Sequence, residues 1–235
     1  MAQSIRAIVA PTISSDDNPN HTITLPTGLM TGDTVVLLIA CDDAAPGTGN
    51  ITWPAGSPTA TVIVAEAATD WPNAGAQYVG PLSAADALNL SGGTITCLQD
   101  GATMSIVVLA GATNTIDFVT PSGGNYSASA SQSIASANTT DNGEIVIAVF
   151  NGGTNTPNGF SASTWSTPSG WTNLGTGVSS YEMLGVFYLS MPTAGAIGTT
   201  ASTISGTGGN MFGSFAFAFR NDANLQATNS AWLTA

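Results

Sequence analysis

His21 is the one histidine of this chain, so a nucleophile that needs an imidazole could be assembled at a single place only. Serine and cysteine nucleophiles require an adjacent base, itself oriented by a third group, and nothing near His21 completes such a set. A surface or strand-cap role is expected for it instead. Paired carboxylates could hydrolyse glycosides, one acid donating a proton while the other attacks or activates water. The candidates are Asp16–Asp17, Asp42–Asp43, Glu66, Asp70, Asp86 and Asp100, followed by Asp117, Asp141 and Glu182. Only Asp70 beside Trp71 has the aromatic company of a sugar cleft. Asp42–Asp43 precede AAPGTGN and read as a solvated loop.

Hard cations take oxygen ligands, and SSDDNPN at 14–20 gathers several, but neither an EF-hand nor a glycine–aspartate repeat is present. An Asp/Asn-rich turn is the plainer reading. A phosphate-cradling GxxxxGK[ST] loop is impossible in a chain whose only basic side chains are Arg6 and Arg220. No cofactor and no metal is expected, and no catalytic residue is assigned. Cys41 and Cys97 are read as two buried thiols, with a disulfide as the alternative.

Five tryptophans remain. Trp53 and Trp165 stand at matching positions of a repeat described below, which favours core packing. Trp71 and Trp171 have no counterparts, and Trp232 stands alone in a polar tail. These three, Trp71, Trp171 and Trp232, are the candidate interface residues.

The elements that must position these side chains are written in an unusual composition. Charged residues are 7% of the chain, hydrophobic residues 43%, and the net charge is −12. An acidic surface repels phosphate backbones and anionic membranes, so neither direct nucleic-acid binding nor membrane binding is expected. No run approaches the roughly 20 apolar residues of a membrane-spanning helix. MAQSIRAIVAPT lacks the pattern of a signal peptide, and folding in a cytoplasm is expected.

One phrase occurs twice. GDTVVLLIA begins at Gly32 and GEIVIAV at Gly143, 111 positions later. Other landmarks keep nearly the same offset: Ile23 with Ile134, His21 with Gln132, IRAIVAP with TIDFVTP, Trp53 with Trp165, Tyr78 with Tyr188 and Pro81 with Pro192. MSIVVL (Met104 to Leu109) aligns with FAFAFR (Phe215 to Arg220) at 111. The chain therefore reads as two repeats, 1–111 and 112–221, with a tail at 222–235. Each is a series of short apolar or alternating runs broken by Gly, Pro, Asn and Ser, which are strands and turns. VVLLIA suits a strand covered on both sides, and SFAFAFR, with phenylalanine and alanine alternating, a half-buried one. LSAADALNL at 82–90 is the best helix candidate. Asp33 and Glu144 read as turn residues, each behind a glycine that supplies positive φ. The expected fold is all-β, two tandem duplicated β-sandwich domains of jelly-roll type.

Residues 22–56 (ITLPTGLMTGDTVVLLIACDD…ITWPAG) and 140–174 (GEIVIAVFNGG…TPSGWTNL) resemble a β-sandwich module of tailed-bacteriophage structural proteins. In that module an aGDllla strand is followed by a PaGWt turn, and an alternating strand like SFAFAFR closes it. The first copy departs from the pattern, having WPAGSP where PaGWt is expected. The resemblance implies a non-enzymatic virion component and transfers no catalytic residue. A capsid decoration (cement) protein on the exterior of the shell is the leading expectation. Its partners would be the major capsid protein or other virion proteins, and it would itself assemble as a homo-oligomer, a trimer on a lattice. The alternative is a tail, tail-tip or fibre-associated protein acting in host adsorption, with glycan binding as one form of that role.

Overall fold

The computed structural model of the chain describes residues 2–12, 20–41, 50–66, 73–98, 101–121, 131–154, 164–179, 181–205 and 211–221. The first half contains β1 (Ser4–Thr12), β2 (His21–Thr24), β3 (Asp33–Cys41), β4 (Ile51–Thr52), β5 (Thr61–Glu66), β6 (Asn73–Val79), α1 (Ala84–Leu90), β7 (Thr94–Cys97) and β8 (Ala102–Ala110). The second contains β9 (Ala112–Pro121), β10 (Ser131–Ile134), β11 (Glu144–Gly153), β12 (Thr164–Trp165), β13 (Thr172–Val178), β14 (Glu182–Met191), β15 (Thr200–Ser205) and β16 (Met211–Asn221). Among the described residues, no helix is long and apolar enough to cross a membrane.

The fold is all-β, of sandwich type. In the first half a five-stranded sheet runs β1-β8-β3-β6-β5 and a three-stranded sheet runs β2-β7-β4. In the second half the sheets run β9-β16-β11-β14-β13 and β10-β15-β12. Counted from the start of each half, the order is the same, and every pairing is antiparallel. The helix falls where LSAADALNL placed it. Ser83 caps it by accepting from the Asp86 amide while Asp86 accepts from the Ser83 amide, a reciprocal arrangement that satisfies two otherwise orphaned donors.

The two five-stranded sheets lie back to back, and this explains the fully apolar strands. Odd-numbered residues of β3 (Val35, Leu37, Ile39, Cys41) enter a core closed by the first three-stranded sheet and α1. Even-numbered residues (Val36, Leu38, Ala40) enter a central core shared with Ile145, Ile147 and Val149 of β11. A third core, around Val146, Phe150, Trp165, Trp171 and Phe187, lies between the two sheets of the second half. The layers are thus three strands, five, five and three. SFAFAFR differs from the half-buried strand expected. Phe215, Phe217 and Phe219 point into the central core and Ala216 and Ala218 into the third core, and all five are fully buried. Alanine marks close sheet packing here, not a solvent face.

The alignment of the last strands also shifts by one residue. Val35 pairs with Val108 and Val146 with Ala218, so β8 matches β16 at an offset of 110. In a strand, one residue of slip exchanges faces. At 110 Val107 corresponds to Phe217, and both lie in the central core, whereas Ile106 belongs to the first core.

Contacts between the halves come in reciprocal pairs. β1 lies against β13 while β5 lies against β9, and β8 lies against β14 while Tyr78 of β6 meets Phe219 of β16 edge-on at 4.8 Å. That is the pattern of a two-fold interface inside one chain. Between β8 and β9 stands a single residue, Gly111. Tyr78 Oη donates to the Asn114 carbonyl at 2.8 Å. At the other end, buried Gln3 clamps the second half. Its backbone N–H donates to Gly143 O (2.8 Å), its Nε2 donates to Phe219 O (2.6 Å), and its Oε1 accepts from the Ile145 amide (2.9 Å).

Truncating Phe217 to alanine opens a void in the central core, so Phe217→Ala is expected to cost about 3–5 kcal/mol. Because both halves own that core, urea unfolding should remain one transition that moves as a whole. Two separate transitions in the variant would show that the halves stand independently.

Candidate functional site

The residues with most chemical potential sit where the two GD/GE turns meet the first strand of each half. Gly32 (φ +84°) and Gly143 (φ +77°) turn the chain into β3 and β11, as expected of glycine at that position. The acids that follow, Asp33 and Glu144, are fully buried, which a turn reading did not foresee. They are the equivalent position of the two halves, but their surroundings are opposite.

In the first half Arg6 lies at an irregularity of β1, where pairing with β8 skips from Ile5 to Ala7. Such bulges re-aim a side chain. Its Nε donates to Asp33 Oδ1 at 2.7 Å, and the carboxylate of Asp33 is wholly shielded while Arg6 is 35% exposed. Asp33 Oδ2 accepts from the Met30 amide at 2.8 Å. The acid thus ties the turn to β1 and carries a cationic partner.

In the second half the matching irregularity of β9 holds Asp117, skipped between Ile116 and Phe118 in the pairing with β16. An acid therefore stands where the first half has arginine. Asp117 Oδ2 accepts from the Thr140 amide at 2.8 Å and Oδ1 accepts from Thr140 Oγ1. Arg220, at the end of β16, brings its Nε to 3.4 Å from Asp117 Oδ1. Donors and cation thus converge on Asp117. Neither oxygen of Glu144 accepts a hydrogen bond of good geometry. Burial pushes its carboxyl up to about 8, and the neighbouring charge and carboxyl of Asp117, with the charge of Asp141, push the same way. A backbone contact from Asp141 offsets part of this.

Two surface features lie elsewhere. An open recess of about 270 Å³ is lined by Trp53, Pro54, Ser57, Pro58, Thr59 and Gln77, among others, and the Trp53 indole N–H donates to Gln77 Oε1 at 3.2 Å. Beside α1, Met30 (54% exposed) and Leu88 (78% exposed) form an apolar patch over a shallow depression with Leu29, Ala84 and Ala87.

The remaining candidates from sequence are distributed as follows. Trp171 is buried in the third core, its ring engaged within the second half. Trp71 and Trp232 lie outside the described residues, as do Asp16, Asp17, Asp42, Asp43, Asp70 and Asp100. Asp86 is spent on the helix cap. Glu182 is buried and accepts from Ser179 Oγ at 2.6 Å. His21, expected at the surface, is buried, because β2 turns its odd-numbered residues to the core. Cys41 and Cys97 are buried and not joined in a disulfide. Among the described residues, no three His, Cys, Asp or Glu side chains come together as metal ligands would. The Arg6–Asp33 and Asp117–Glu144 pairs were missed, although the offset of 111 aligns them.

No protein-family model matches the chain, and neither a curated protein nor a solved structure matches it.

Removing the cation leaves the buried Asp33 carboxyl without its partner. Arg6→Met is expected to lower stability by about 3 kcal/mol, the low end for a buried pair because Arg6 is 35% exposed, measured by urea unfolding. Asp33→Asn added to Arg6→Met should recover part of the loss. No recovery would mean that Arg6 acts through packing alone.

Proposed function

We propose that the protein is a non-enzymatic virion structural component, most consistent with a capsid decoration protein bridging subunits on the outside of a phage shell. The observation that carries this reading is the four-layer block, which turns two similar three-stranded sheets outward on opposite sides. The first presents Thr22, Thr24, Thr52 and Thr94, and the second Ser131, Ser133, Thr164, Thr203 and Ser205, all exposed. Faces without charge suit contacts with neighbouring subunits, since charged side chains are depleted from interface centres. Two such faces on one stiff body fit the bridging of adjacent lattice positions. The GDTVVLLIA and TPSGWTNL motifs support the same reading through their resemblance to phage β-sandwich modules, and a tandem duplication accounts for the repeated strand order. Partners would be the major capsid protein and further copies of the chain, with a trimer as the assembly suited to three-fold lattice sites.

A tail or fibre-associated role with glycan binding is favoured by one specific feature, the recess beside Trp53. A half-buried indole edged by Ser57 and Thr59 offers a stacking surface and polar groups to a sugar.

Quantitative mass spectrometry of purified particles should give a copy number within a few-fold of the major capsid protein. A handful of copies per particle would exclude decoration. Glycan binding abolished by Trp53→Ala would then support the tail role.

A further inference from the structure

The second half carries a buried carboxyl pair that the proposed function does not use. Its position is unusual because the equivalent pair in the first half, Arg6 with Asp33, is an ion pair at 2.7 Å. Replacing the base by an acid at the bulge of β9 leaves Glu144 fully buried, with no well-formed hydrogen bond to either oxygen, beside the shielded carboxyl of Asp117. Two carboxylates that share a site cannot both ionise without a large penalty. The donors present, Thr140 and Arg220, are engaged with Asp117, which leaves the proton to Glu144.

We propose that Glu144 and Asp117 form a proton-holding latch, in which a retained proton keeps the turn into β11 closed and its loss loosens the junction between the halves.

Among the described residues, few titratable groups face Glu144. β9 contributes Asp117, the turn before β11 contributes Asp141, and β16 contributes Arg220 through its contact with Asp117. On β14 the residue paired with Glu144 is Met191, and the N-terminal segment supplies Ala2 and Gln3, none of them titratable. The route to the junction is short. The residues on either side of Glu144, Gly143 and Ile145, are both held by the Gln3 clamp through their backbone groups. A β-carbon built on Gly143 would stand 2.8 Å from that of Ala2, so the turn has no room to swell around a hydrating charge while the clamp holds.

The sign follows from linkage. Glu144 titrates at about 8 in the fold and near 4.3 when unfolded, so the native state holds the extra proton between these values. Stability is complete below the lower value, falls as pH rises through the window, and levels off above the upper one.

The test is thermal unfolding of the full chain and of Glu144→Gln from pH 5 to 9. The wild-type midpoint is expected to fall by several degrees across this range and then level, while Glu144→Gln, which keeps a neutral side chain of the same shape, stays nearly flat. Equal declines in both proteins would overturn the proposal. Should the variant fail to fold, carboxyl-labelled glutamate offers a direct readout, because the chain has only Glu66, Glu144 and Glu182. One carboxyl resonance, assigned through Glu66→Gln and Glu182→Gln, should titrate above pH 7 together with faster exchange of the Ile145 amide. If all three glutamates titrate below pH 6, the latch does not exist.

Discussion

The two five-stranded sheets must be covered on both faces, and most of the structure follows from that. A sheet with apolar side chains on both sides cannot leave either side in water. Each therefore takes a small three-stranded sheet on one face and the other half of the molecule on the opposite face. The central core, with its ladder of Phe215, Phe217 and Phe219, belongs to neither half alone. The surfaces left over are narrow outer sheets, loops and edge strands, which is why so few charged residues are needed. Where charge does enter the buried region, it must be matched locally. Arg6 and Arg220, the only basic residues of the chain, each stand beside a shielded aspartate.

Much of this was legible in the residues. The uninterrupted apolar run of β3 announced two-sided burial, the glycines before β3 and β11 announced turns, and LSAADALNL announced the helix. The repeated landmarks placed equivalent strands at equivalent positions. Alternation alone misjudged β16, because Ala216 and Ala218 look like an unfilled face until another layer is known to sit on them. The alignment of MSIVVL was off by one for a related reason. A strand apolar at every position carries no face signal, and only pairing with β3 fixes which residues look inward.

The buried acids were harder to see because their environment is made by residues far away in the chain. Asp33 meets Arg6 only once β1 has joined β8, and Glu144 meets Asp117 only once β9 has joined β16. A bulge in each first strand brings the side chain round, and bulges leave little trace in composition. His21 was misjudged for a similar reason, since the burial of one end of a short strand depends on which of its faces the larger sheet covers.

Gly111, the single residue between β8 and β9, gives the joining of two similar halves in one chain a genetic consequence. Two identical subunits meeting across a two-fold axis must carry every substitution twice, so a change useful in one copy and harmful in the other is lost. Joined through one glycine, the halves keep the geometry of such a pair without its bookkeeping. Each is free to change separately as long as the shared face is preserved, and a cation can stand at residue 6 while an acid occupies the same station at residue 117. Symmetry of shape thereby coexists with asymmetry of chemistry, which separate identical subunits cannot achieve.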